Sequence, residues 1–156
     1  MRGAGAALVL ALAAGCQPSG PNTAAPRRDA PTINALVDAA VQPTIRAAVR
    51  ALGDDGLTLR RADEDAGVVE SEYFDLATVD PHSESYPSEQ RFVRLRIAVT
   101  ADTMGRGSLV DLFVFYQPYQ LGMESRSRER LVPRDHPGAA YARKLIERIA
   151  KVALSQ

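Results

Sequence analysis

The chain has 156 residues, 46% apolar and 24% charged, with ten Pro and eleven Gly, a balance that fits one globular domain and excludes a collagen-like or wholly disordered protein. Nineteen basic side chains offset nineteen acidic ones, so no overall field draws the molecule onto nucleic acid. The one cysteine, Cys16, cannot form an intramolecular disulfide, and two His are too few for a Cys/His zinc cluster. Stability must come from an apolar core.

Residues 1–15 carry a cationic start at Arg2, an apolar stretch of Ala, Leu, Val and Gly, and the small residues Ala13, Ala14 and Gly15 before Cys16. These are the parts of a secretory signal peptide, too short for the ~20 apolar residues of a membrane span. The ending resembles the lipobox of bacterial lipoproteins, in which small residues precede a cysteine that is lipidated, with palmitate among its acyl chains, and becomes the new N-terminus. The resemblance implies that Cys16 is the membrane anchor. Gln17 in place of Asp implies, by similarity to lipoproteins of Gram-negative bacteria, an outer-membrane anchor facing the periplasm. The physical argument agrees: the only thiol falls at the cleavage site, and two or more acyl chains on one residue give stable anchoring.

Residues 16–30 hold Pro18, Pro21 and Pro26 among Ser, Asn, Thr and Ala, a composition that forms a tether and not a core. The domain is expected over 31–156. From Ile33 through Leu36, Val37, Ala40, Val41, Ile45, Ala48, Val49 and Leu52 the apolar residues keep helical spacing. Pro43 interrupts the pattern, so either the helix kinks there or a second helix starts with Pro in its first turn. Gly53 and Asp54-Asp55-Gly56 end it.

Four strands are predicted next: Leu57 to Arg61, Gly67 to Phe74, Arg91 to Ala101 and Ser108 to Gln117. In the third, Val93, Leu95, Ile97 and Val99 alternate with Arg94, Arg96 and Thr100, giving one buried and one wet face. The fourth puts Val110, Leu112, Val114 and Tyr116 on one side and Leu109, Phe113 and Phe115 on the other. Short turns at 62–66 and 102–107 make an antiparallel meander. Tyr141, Leu145, Ile146, Ile149 and Val152 form a closing amphipathic helix, with Asp135 as its expected N-cap and Pro137 in its first turn. The predicted fold is α+β: a two-layer sandwich, an antiparallel sheet of about four strands covered on one face by an N-terminal and a C-terminal helix.

Residues 47–74 run from a helix end at Leu52-Gly53 through a short strand and the acidic turn Asp63 to Asp65 into Gly67-Val68-Val69-Glu70-Ser71-Glu72-Tyr73. This resembles the repeated module of BamC-like outer-membrane lipoproteins, with one module here in place of two. The resemblance implies a non-enzymatic scaffold of the cell envelope.

No catalytic constellation is legible. His82 sits in a polar loop, His136 beside a helix start, no Ser lies in a Gly-x-Ser-x-Gly turn, and Asp63-Glu64-Asp65 lacks the ligand spacing of a calcium loop. The reading is therefore no enzyme, no metal and no cofactor. Charge is more telling: residues 54–89 hold eleven acidic and two basic side chains, residues 91–151 twelve basic and six acidic. The meander puts loops 75–89 and 118–135 at one end of the sheet. Their charges either pair with each other or stay solvated, or Arg126, Arg128, Arg130 and Arg134 receive carboxylates or phosphates from a partner, peptidoglycan or lipid headgroups, with Phe113 and Phe115 as a nearby apolar patch unless the closing helix or loop 118–135 covers them. The expected activity is binding another envelope protein as a scaffold. The alternative is a carrier holding a lipid or other apolar ligand between sheet and helices, which requires an internal cavity.

Overall fold

The structure, a computed structural model, describes residues 32–117 and 129–155. The signal segment, Cys16, the tether and Arg126 and Arg128 lie outside the described residues. Its elements are β1 (Ile33–Val37), α1 (Val41–Asp54), β2 (Leu59–Asp63), β3 (Val68–Ser71), β4 (Phe74–Asp75), two 3₁₀ turns (Leu76–Thr78 and Pro81–Ser85), the single-turn α2 (Ser88–Arg91), β5 (Phe92–Ala101), β6 (Ser108–Tyr116), β7 (Arg130–Leu131) and α3 (Pro137–Ala153). The fold is α+β, with an antiparallel sheet and two long helices.

Among the described residues the sheet has seven strands, ordered β1-β6-β5-β3-β2, with β4 on β5 and β7 on β6. The expected meander is its centre, and the extra strands come from segments read otherwise. Ile33 to Val37 is a strand, not the first turns of a helix, and pairs antiparallel with β6 from Ile33↔Leu112 to Val37↔Ser108. Helical spacing there was coincidental: Ile33, Ala35 and Val37 also alternate, and the long-range partner decides. α1 starts afresh at Val41 with Pro43 in its first turn, where a missing N–H costs nothing. The expected second strand divides into β3 and β4 at Glu72-Tyr73. There the Ser71 hydroxyl takes over the ladder, accepting the Leu95 N–H at 3.0 Å.

α1 and α3 pack on each other; α1 also meets β2, β3 and β5, and α3 meets β1 and β6. Val93, Leu95, Ile97 and Val99 of β5 and Val110, Leu112 and Val114 of β6 are buried with Ile45, Leu52, Leu145 and Ile149 of the helices. This is the inner face of the sheet. Thr44 of α1 and Ser108 of β6, both fully buried, satisfy each other at 2.8 Å between hydroxyls. The helices are also clasped at Asp55, which accepts from Tyr141 Oη at 2.5 Å and pairs with Arg148. Gly67 has φ +66° and passes so close to β5 that a Cβ would lie 2.2 Å from the Val99 carbonyl oxygen. No other residue fits this turn without moving the strand.

The N-cap of α3 is His136, one residue after the expected Asp135; its Nδ1 accepts the Gly138 N–H at 3.0 Å, and Pro137 follows at the first helical position. Leu95 is 0% exposed at the middle of the core, so Leu95→Ala is expected to cost ~2 to 5 kcal/mol by urea denaturation. A loss under about 1 kcal/mol, the range of surface changes, would contradict this packing.

Candidate interaction surface

The opposite, outer face of the sheet follows from strand parity. The register aligns Leu36, Leu109 and Thr100 in one row and Asn34, Asp111, Ala98 and Val68 in the next. Phe113, Arg96 and Glu70 form the third, and Phe115 with Arg94 the fourth. Leu36 is 65% exposed, Phe92 48% and Leu109 37%, while Phe113 and Phe115 are half-buried with ring centroids 6.4 Å apart. Leu109, Phe113 and Phe115 therefore share one side of β6, the side that the strand's alternation predicts for them.

Its charges form a lattice. Arg94, only 6% exposed, donates through Nε and Nη2 to the two carboxylate oxygens of Glu129 at 2.9 and 2.6 Å, a bidentate pair. Its Nη1 lies 3.2 Å from Glu70, and its guanidinium sits over the Phe115 ring at 5.1 Å. Tyr73 Oη donates to Glu129 at 2.7 Å, and its ring stacks on Phe92 at 5.3 Å. Burial opposes ionisation of Glu129, but the hydrogen bonds from Arg94 and Tyr73 prevail and hold its carboxyl below the usual range. Burial and then the Glu129 acceptor push the Tyr73 hydroxyl up. Arg96 reaches Glu70 at 3.5 Å and Arg61 reaches Asp63 at 2.6 Å.

Asp111 differs. Among the described residues it has neither a hydrogen bond nor an ion pair, and it lies half-buried between Leu109 and Phe113 with Ala98 and Asn34 beside it. Loss of water around it raises its pKa.

Of the arginines expected to form the site, Arg126 and Arg128 lie outside the described residues, and Arg130 and Arg134 stand apart from the phenylalanines. Arg130 is exposed and registers with Tyr116, while its neighbour Leu131 registers with Phe115. Parity therefore puts Arg130 on the other side of the sheet from the phenylalanines. Arg134 is exposed in the turn before α3. The described acidic groups of the neighbouring loop do not pair with them: Asp75 binds Arg91 at 3.1 Å and Asp80 binds Lys144 at 3.4 Å. Of the expected set, Phe113 and Phe115 come together, and the cations beside them are Arg94 and Arg96. One signal was available in the sequence, since Asp111 is the only charge in the most apolar strand. Glu129 gave none, being one acid in an arginine-rich stretch.

Among the described residues no group of three or more His, Cys, Asp and Glu is placed to hold a metal ion, and no helix is long and apolar enough to cross a membrane. No family model matches the chain, and no curated protein matches it in sequence.

Two pH responses follow. Folding raises the Asp111 pKa, so its carboxylate lowers stability above the ordinary value of 3.8, and that cost fades as pH falls through the window between the two values. Asp111→Asn is therefore expected to melt higher than the parent at neutral pH and to converge with it in acid; calorimetry across pH checks this. Burial instead lowers the His136 pKa from 6.5, and protonation removes the Nδ1 lone pair that caps α3. Stability is then complete above about 6.5 and lost as pH falls through the lower folded value. Melting temperatures should drop over that window in the parent and much less in His136→Asn, which keeps a capping acceptor.

Proposed function

We propose that this protein is a lipoprotein anchored in the outer membrane through Cys16, facing the periplasm, and that it acts as a non-enzymatic binding or scaffold module for another envelope protein. We infer a two-layer arrangement in which both long helices lie on the inner face and the outer face stays open. The observation that carries the reading is this outer face: exposed Leu36, Leu109 and Phe92 and half-buried Phe113 and Phe115 surround arginines already held by carboxylates. Aromatic residues and arginines are the types enriched at the centres of protein interfaces. A preorganised, charge-satisfied lattice adds no unpaired cation to be buried on contact. The lipobox-like ending at Cys16 and the similarity of residues 47–74 to the module of BamC-like lipoproteins support the location and the scaffold role.

The carrier reading needs a cavity between sheet and helices. A void able to hold a ligand exposes its lining to a water-sized sphere, yet Ile45, Leu52, Leu95, Ile97, Leu112, Leu145 and Ile149 are all 0% exposed. A cleft of ≈ 480 Å³ lined by Leu36, Val37, Asp38, Asp102, Met104 and Arg106 lies outside that core, at the sheet edge. The packing favours the scaffold.

Cys16→Ala should release the protein from membranes after a high-salt wash, as read by fractionation. In the anchored protein, a photo-crosslinking side chain at the exposed Thr100 of the outer face should give one discrete envelope adduct, and the same group at the exposed Arg143 of α3 should give none. Equal crosslinking from both positions, or retention of the Cys16 variant in the membrane, would overturn the corresponding half of the proposal.

A further inference from the structure

The outer face already contains one complete arginine site. Arg94 lies over the Phe115 ring and is gripped by Glu129 and Glu70. Guanidinium, aromatic face and carboxylate together make a stronger site than any two of them, because the ring takes the cation's flat side while the carboxylate takes its edge. One step along the same face of β6, Phe113 and Asp111 repeat the ring and the carboxylate. There the cation is missing.

Nothing described on the face supplies it. Arg96, diagonal to Asp111 across the β5–β6 pairing, is turned to Glu70, Arg94 is held by Glu70 and Glu129, and Arg61 by Asp63. Asp111 is thus a carboxylate of the central strand β6 with no cation on it among the described residues, in a setting of Leu109, Phe113, Ala98 and Asn34 that limits its hydration. We propose that the outer face takes an arginine of a partner protein, its guanidinium on the Asp111 carboxylate and against the Phe113 ring. This rests on the reading of the outer face as the contact surface and adds the chemistry of what docks there. Arginine fits better than lysine because its flat, weakly hydrated guanidinium stacks on rings and loses less on leaving water. The exposed Leu36 and Leu109 in the adjoining row call for apolar residues flanking that arginine.

The test uses the full chain, immobilised, and a random displayed peptide library. Recovered peptides are measured on the parent, on Asp111→Asn and on Thr100→Arg, with the melting temperature of each variant read alongside. Both substitutions are at positions that leave the core untouched, and the second sets a guanidinium diagonal to Asp111 from the chain itself. The expected peptides carry an arginine between apolar residues. Replacing it by citrulline, or assaying on Asp111→Asn, should weaken binding at least about tenfold, the scale of a charge-assisted hydrogen bond, and Thr100→Arg should block it. Peptides blocked by Thr100→Arg that lack arginine and ignore Asp111→Asn would overturn this inference and leave the contact face standing. Peptides indifferent to both variants would overturn both readings. Self-association of the chain that disappears in Asp111→Asn would also overturn the proposal, by making a second copy the occupant.

Discussion

The antiparallel pairing of β5 with β6 governs this molecule. It runs unbroken through nine residue pairs from Val93↔Tyr116 to Ala101↔Ser108, and side chains alternate across it with a period of two. That one register sends Leu95, Ile97, Val110 and Leu112 to the core and Arg94, Arg96, Asp111, Phe113 and Phe115 to the other side. A slip of one residue would exchange the two sets, burying charge and exposing the core. The register that builds the core therefore also fixes which residues meet on the outer face.

What the sequence revealed tracks how local its signals were. The alternation in β5 and the helical stripe of α3 each involve neighbours within a few residues, and both elements formed as their patterns predict. β1 did not, because five residues with Ile33, Leu36 and Val37 satisfy helical spacing as well as alternation. Its assignment depends on β6, about seventy-five residues further along. β7 has two residues, too few to show any period. The hairpin turn before β3 was legible for another reason, since Gly67 occupies a left-handed conformation pressed against Val99, a combination that glycine alone accepts.

The candidate surface was legible in its apolar half only. Phe113 and Phe115 announce themselves by parity within one strand. Their cations do not, because an arginine's role depends on the acid that reaches it. Arg94 is gripped by Glu129, thirty-five residues away, and by Glu70, on a neighbouring strand. Along the chain, positive charge is dense at Arg126, Arg128, Arg130 and Arg134. Density in sequence says nothing of which side of a strand a residue takes, and Arg130 takes the side of Tyr116.

The Arg94 lattice also explains why the outer face can hold a definite shape. Removing a guanidinium and two carboxylates from water gains little net stability, and hydrophobic residues of equal volume would serve folding as well or better. What such a lattice supplies is position: Glu129 draws the chain leading into β7 over Arg94, Tyr73 is fixed by the same carboxylate and holds Phe92 against its ring, and Phe115 is pinned beneath the guanidinium. Rigid rings held by satisfied charges lower the entropy lost when another surface settles on them. The polar groups of the outer face thus contribute fixed side-chain positions more than net stability.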